Sequence, residues 1–154
     1  MTTTPRQILV QPDSFEVVAD DAVLSAEVEA TLAVCLYDAV EEPGALLHLR
    51  FIARGEQRLD VTDRTLATDL LLLDRCIADL RAVAPRAQHL QGKIAAHVTA
   101  GGTAQAMADA VLDLVGAYLR DAGVSIVSSE VNGSPRRLRF RPAMGQVQVE
   151  YLSG

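Results

Sequence analysis

The fold is decided by one apolar segment, Ala30-Thr31-Leu32-Ala33-Val34-Cys35-Leu36-Tyr37-Asp38. The segment is too apolar to alternate between a buried and a solvated face, so it predicts a strand over Ala30–Tyr37 that is buried on both faces. A turn at Glu41-Glu42-Pro43-Gly44 returns the chain into a second apolar run, Ala45–Ile52. The two runs together predict a hairpin at the centre of the fold.

Two helices are predicted after this hairpin. In the first, apolar side chains recur at helical spacing and form one stripe: Leu66, Leu70, Leu73, Ile77 and Leu80. Thr62 or Asp63 is expected to cap its start, and Pro85 to fix its end. The second helix is predicted from Thr103 to Ala122, and Gly123 is placed to end it in a left-handed conformation.

Shorter strands are predicted before, between and after the helices, at Gln7–Val10, Phe15–Val18, Leu90–Val98, Val124–Ser129, Arg137–Arg141 and Gln146–Leu152. The order of strands, helix, strand, helix and strands indicates a mixed α/β (α+β) fold. We expect a four-layer α-β-β-α sandwich, in which two long amphipathic helices flank two layers of strands. The chain shows no internal repeat and no linker, so residues 1–154 are expected to form one domain.

Composition excludes several classes of protein. The chain has 154 residues, of which 49% are hydrophobic and 22% charged, as in an ordinary soluble domain. A net charge of −6 and the absence of tryptophan argue against nucleic-acid binding. Apolar runs such as Leu70–Leu73 are too short to cross a bilayer, and no leader segment is recognised, so we expect a cytoplasmic protein without membrane insertion.

Cysteine and histidine are rare, and we expect neither a metal nor a cofactor. The two cysteines, Cys35 and Cys76, have no metal-ligand spacing, and Cys76 lies beside an apolar stripe. Of the three histidines, His89 and His97 are expected to be ordinary surface or loop residues. The third, His48, lies in an apolar run, where a polar side chain requires a partner.

Six short segments carry a resemblance to a known family: Leu32–Asp38, Gly44–His48, Gly92–Ala95, Leu119–Val124, Glu130–Phe140 and Gly145–Val149. Their order and spacing resemble those of the CheD family, the chemoreceptor glutamine deamidases of bacterial chemotaxis. In that family the first strand carries T-L-G-L-G-S-C-V-x-V-C-L/M-x-D. A G-A-x-x-H segment follows, with its histidine seventeen residues after the nucleophilic cysteine. The resemblance covers nearly the whole chain and implies a sandwich of the cysteine-hydrolase type.

The chain departs from the family at the catalytic positions. Counting seventeen residues back from His48 leads to Thr31, where the family has its cysteine, and six further back stands Ser25, where it has a threonine. The resemblance thus assigns the Cys-His-Thr positions to Thr31, His48 and Ser25. The glycine-rich loop is replaced by Ala26-Glu27-Val28-Glu29-Ala30, and the family's second glycine pair is Ala96-His97.

The family chemistry needs a thiolate that attacks the glutamine carboxamide, and Thr31 offers only a hydroxyl, a much weaker acid. Cys35 lies four residues further along the predicted strand. It is therefore about 13 Å from Thr31 and out of reach of a histidine placed for Thr31. The sequence thus predicts that the family's protein-glutamine glutaminase (amidohydrolase) activity is lost, and the alternative structural role for His48 stays open.

Three functional hypotheses follow from the resemblance. The first is a non-catalytic CheD-like chemotaxis or signalling protein that acts by binding, with a chemoreceptor cytoplasmic domain or a CheC-type phosphatase as partner. The second is an active deamidase, converting glutamine to glutamate on chemoreceptors, with an unrecognised nucleophile. The third is a glutamine-hydrolase relative outside chemotaxis, because a fold does not fix a function.

Three arginines alternate with apolar residues near the end of the chain: Arg137, Arg139 and Arg141. This spacing places the three guanidinium groups on one face of a strand. One interpretation is a solvated face that also discourages pairing at a sheet edge. The other is a docking surface for an acidic protein, since arginine favours carboxylates.

Overall fold

A computed structural model describes residues 4–49, 64–98 and 102–152, without the side chains of residues 64–67, 102–107 and 132. Within these residues the chain forms the following elements: β1 (Arg6–Leu9), β2 (Ser14–Val18), β3 (Ala22–Val28), β4 (Leu32–Asp38), β5 (Gly44–Leu49), α1 (Arg64–Val83), β6 (Leu90–His97), α2 (Gly102–Asp121), β7 (Ser125–Asn132), β8 (Arg136–Arg141) and β9 (Gln146–Tyr151). A single 3₁₀ turn, Pro142–Met144, joins β8 to β9.

The strands form two sheets. The four-stranded sheet has the order β1-β3-β8-β9, and the five-stranded sheet has the order β2-β5-β4-β6-β7. The predicted central hairpin is confirmed: β4 and β5 pair antiparallel, with Leu36 opposite Ala45. Every residue of β4 is buried, because one face of this strand packs on helices and the other on the four-stranded sheet. The prediction of a strand buried on both faces is therefore confirmed.

Strand β4 begins at Leu32 rather than at the predicted Ala30. The reason is the backbone of Ala30, whose φ of +55° lies in the left-handed region and cannot continue an extended strand. At the other end of the chain, Gly123 follows α2 with a φ of +86°, which confirms the predicted left-handed end of that helix.

The mixed α/β class with two stacked sheets is confirmed, but the order of the layers differs from the predicted α-β-β-α. In the described ranges both helices pack on the five-stranded sheet: α1 contacts β2 and β5, and α2 contacts β6 and β7. An apolar stripe shows that a helix covers a sheet without showing which one. The outer face of the four-stranded sheet instead carries charged side chains, which favour water over a helix.

Strand β3 has no counterpart in the sequence prediction, which placed a loop over residues 26–30. Its burial alternates strictly, and the residues that face the space between the sheets are small or aliphatic: Ala22, Leu24, Ala26 and Val28. The strand pairs parallel with β1 and antiparallel with β8. The alternation of inward apolar and outward residues that indicates a strand is present in the sequence. It is weak because two of the inward residues are alanines, which have little preference for strands.

Several predictions fall outside the described residues. They are the cap at Thr62 or Asp63, the end of the second hairpin strand at Ile52 and the loop at Gly101. Among the described helices, none combines the length and the apolar character that crossing a membrane requires.

Candidate functional site

Thr31 and His48 meet between the two sheets. His48 lies on β5 directly opposite Ala33 of β4, so its ring extends toward the start of β4, which Thr31 immediately precedes. The His48 Nε2 and Thr31 Oγ1 atoms are 2.7 Å apart. Both residues are buried, with 1% and 3% of their surface exposed. The separation of seventeen residues along the chain therefore corresponds to a direct contact in the fold.

The backbone carbonyl of Val10 fixes which nitrogen of His48 carries the proton. His48 Nδ1 lies 3.0 Å from this oxygen, and a carbonyl only accepts hydrogen bonds. Nδ1 therefore carries a hydrogen, and Nε2 of the neutral ring is an acceptor. It follows that the Thr31 hydroxyl donates to Nε2, which is the arrangement in which an imidazole takes a proton from a nucleophile.

Ser25 does not bring its side chain to this pair. Its neighbours Leu24 and Ala26 face the space between the sheets, so Ser25 faces the outer side of β3. Its hydroxyl donates to the carbonyl of Ile8 at 3.4 Å. Its own carbonyl accepts a hydrogen bond from the Val10 amide at 2.7 Å. Ser25 is thus connected to His48 through the backbone of Val10.

Sequence reasoning missed two contributors to the site, Val10 and His97. Val10 acts through its carbonyl, which leaves no trace in the type of side chain. The expectation of a surface or loop position is wrong for His97, which is buried with 6% of its surface exposed and ends β6. Its Nδ1 accepts a hydrogen bond from the Ala30 amide at 2.8 Å. Its own amide donates to the Thr31 carbonyl at 3.1 Å.

Both cysteines are buried, and burial disfavours the reactive form of each thiol. Burial raises the pKa of the Cys35 thiol to about 12, and burial likewise raises the pKa of the Cys76 thiol to about 12. Both thiols are therefore protonated at neutral pH, and the thiolate is the reactive form. Separately, the part of the chain that the structure describes holds no group of three or more histidine, cysteine or acidic residues able to bind a metal.

The three arginines of β8 are engaged with carboxylates on neighbouring strands. Arg137 donates to Glu27 at 2.7 Å, and Arg139 lies 3.4 Å from Glu150. Arg141 binds Asp21 with two hydrogen bonds, 2.9 and 2.5 Å long, which lower the pKa of that carboxyl. These pairs neutralise the row of guanidinium groups, and they favour the interpretation as a solvated face over a docking surface for an acidic protein.

The fold and the site together define an α/β sandwich with a buried histidine–hydroxyl pair between its two sheets. No protein-family model matches the chain. The chain is 25% identical over 144 residues to the probable chemoreceptor glutamine deamidase CheD of two Burkholderia orbicola strains, MC0-3 and AU 1054. It is 26% identical over 153 residues to the protein of the same name from Cupriavidus metallidurans.

These similarities extend over 92% to 95% of the chain. They are similarities to proteins named CheD, in agreement with the resemblance that the six segments carry. The chain spans 58% of the length of the Burkholderia relatives and 68% of the length of the Cupriavidus protein.

Proposed function

We propose that this chain takes part in chemotaxis signalling by binding other proteins and that it does not hydrolyse glutamine side chains. The observation that carries the proposal is the hydroxyl of Thr31, 2.7 Å from His48 Nε2, at the position where the family has a thiol. The names of the relatives point to chemoreceptors as the class of partner. The resemblance to the family adds a CheC-type phosphatase.

The reaction that would be lost is a two-step hydrolysis. A thiolate bonds to the carboxamide carbon, the C–N bond breaks as ammonia leaves with a proton from the histidine, and water then hydrolyses the thioester to a carboxylate. A hydroxyl needs stronger assistance than a thiol, since its pKa lies far above the thiol's ~8.5.

Burial of the pair supports the same conclusion. With 3% of Thr31 and 1% of His48 exposed, a glutamine side chain has no open approach to the hydroxyl. The hydrogen bonds of His48 to Thr31 and to Val10 instead join the segment after β1, the start of β4 and strand β5. The pair therefore fits a role in holding the scaffold that a partner recognises.

The test combines binding and chemistry on one probe, the cytoplasmic fragment of a chemoreceptor. We expect calorimetry to detect binding of the chain to this fragment, and mass spectrometry to detect no conversion of glutamine to glutamate. A fragment that is converted, with the conversion abolished by Thr31→Ala, would overturn the non-catalytic proposal. Lack of binding both to the fragment and to a CheC-type phosphatase would overturn the binding role.

An active deamidase is the second candidate, and one observation favours it: the Thr31 hydroxyl lies 2.7 Å from His48 Nε2, the ring nitrogen that would take its proton. Under this alternative, Thr31→Ala and His48→Gln both abolish conversion. Ser25→Ala is the matched control, because the Ser25 side chain faces away from the pair, and this variant is expected to keep the activity. Conversion that survives Thr31→Ala would exclude the hydroxyl as nucleophile.

A further inference from the structure

Ala30 has a backbone conformation that its side chain disfavours. Its φ of +55° lies in the left-handed region, where the Cβ of a residue other than glycine is crowded. Such a residue persists only when its surroundings hold it in place. Ala30 directly precedes Thr31, so whatever holds Ala30 also decides where the Thr31 hydroxyl lies.

His97 binds the backbone of both Ala30 and Thr31. The Ala30 amide donates to His97 Nδ1 at 2.8 Å, and the His97 amide donates to the Thr31 carbonyl at 3.1 Å. The second bond extends the pairing of β4 with β6, in which Leu32 lies opposite Ala96. One residue at the end of β6 thus binds both residues that lead into β4.

The hydrogen bond from the Ala30 amide requires one particular tautomer of the His97 ring. Since the Ala30 amide is a donor, Nδ1 must offer a lone pair, so the neutral ring carries its hydrogen on Nε2. His48 has the opposite tautomer, because its Nδ1 donates to the Val10 carbonyl. The two histidines of the site are therefore distinguishable by which ring nitrogen is protonated.

The bond to Ala30 depends on a side chain that the family pattern lacks. In the alignment with the CheD family, His97 takes the place of a glycine, which offers no acceptor. The same alignment replaces the glycine-rich loop before the nucleophile position with Ala26-Glu27-Val28-Glu29-Ala30.

We infer that His97 is the positioning residue of the Thr31–His48 pair: by accepting a hydrogen bond from the Ala30 amide, its imidazole keeps the strained Ala30, and with it the next residue Thr31, where the hydroxyl meets His48. His97 does not touch the hydroxyl itself and acts through the backbone. This inference rests on the proposed function only in that it concerns the same pair, and it holds for a binding scaffold and for an enzyme alike.

The test compares two substitutions that differ in one acceptor. His97→Asn retains an oxygen near the place of Nδ1, whereas His97→Leu fills the space without an acceptor. In His97→Leu we expect the Ala30 amide to exchange about tenfold faster with solvent and the nitrogen resonance of His48 Nε2 to lose the signature of its hydrogen bond. In His97→Asn we expect both signals to stay near those of the unsubstituted chain. His89→Leu is the control, because the side chain of His89 is exposed.

Two outcomes would overturn the inference. One is a folded His97→Leu variant in which the signals of Ala30 and His48 are unchanged. The other needs no variant and therefore applies even if His97→Leu fails to fold: nitrogen spectra of the unsubstituted chain that show His97 protonated on Nδ1. Neither measurement uses a partner or a substrate. A failure of the positioning role of His97 and a failure of the binding function are therefore observed separately.

Discussion

At the scale of single residues, the contact between Thr31 and His48 separates the geometry of a nucleophile–base pair from the acidity of its nucleophile. The ring of His48 is oriented by the Val10 carbonyl and presents Nε2 to the side chain at position 31. That geometry does not depend on whether the side chain carries oxygen or sulfur. What changes is acidity, because a thiol beside an imidazole forms a thiolate–imidazolium pair and a hydroxyl does not.

The Thr31→Cys variant tests this separation of geometry from acidity. In a Cys35→Ser, Cys76→Ser background, we expect the new thiol to have a pKa below the usual ~8.5, because His48 as an imidazolium stabilises the thiolate. The measurement is the ultraviolet absorbance of the thiolate as a function of pH, whose midpoint reports this pKa without requiring a reagent to enter the site. Adding His48→Gln is the control and is expected to move the midpoint upward. A midpoint that is the same with and without His48 would contradict the role assigned to the imidazole.

At the scale of elements, the sequence predicts those parts of the site that depend on the type of side chain. It does not predict those that depend on backbone groups. The apolar pattern predicts the central hairpin, and only the resemblance to the CheD family assigns Thr31 and His48 to paired positions. Two features could not be predicted. The Val10 carbonyl has no side-chain signature, and the left-handed turn at Ala30 occurs at a residue that rarely adopts it. Strand β3 was missed for a related reason, since alanines at two of its inward positions weaken the alternation.

Asp38 ties the loop that follows β4 to the loop that precedes β6. This buried carboxylate ends β4 and accepts hydrogen bonds from the amides of Val40, Glu41 and His89, at 2.8, 3.1 and 3.1 Å. Burial by itself raises the pKa of Asp38, but the three amides outweigh it and leave the pKa below its ordinary value of 3.8. The native protein thus binds a proton at Asp38 less readily than the unfolded chain does. The resulting stabilisation is fully present above the ordinary value and is lost as the pH falls through the lowered one.

The Asp38→Asn variant tests this linkage. At pH 7 we expect it to lower the free energy of unfolding by about 1–3 kcal/mol, because a neutral amide accepts these hydrogen bonds less strongly than a carboxylate. The difference from the unsubstituted chain, measured by urea denaturation, should shrink once the pH falls below the ordinary value of an aspartate. Glu16→Gln on the exposed side of β2 is the control. A difference that stays constant from pH 7 down to pH 3 would exclude Asp38 as the titrating group.

At the scale of the whole molecule, one buried cation connects the two sheets. Arg136 begins β8 of the four-stranded sheet, and its side chain is fully buried, with 0% of its surface exposed. Its Nη2 donates to Glu130 of β7 at 2.8 Å and to the Ala96 carbonyl of β6 at 3.5 Å, both in the five-stranded sheet. Its Nε and Nη1 atoms are buried without a hydrogen-bond partner. The buried positive charge of Arg136 is therefore balanced by Glu130, whose own side chain is 56% exposed.

This imbalance predicts that removing the charge of Glu130 destabilises the protein more than removing the charge of Arg136 does. Glu130→Gln leaves a buried guanidinium uncompensated and is expected to lower the free energy of unfolding by about 1–3 kcal/mol. Arg136→Met removes the charge and two unsatisfied donors while keeping an apolar side chain in the core, so it is expected to be neutral or stabilising. Urea denaturation of both variants gives the comparison. The exposed pair Arg137–Glu27 is the matched control, and its substitution should change stability little. If Arg136→Met destabilised the protein more than Glu130→Gln, the guanidinium would instead be a net stabilising link between the sheets.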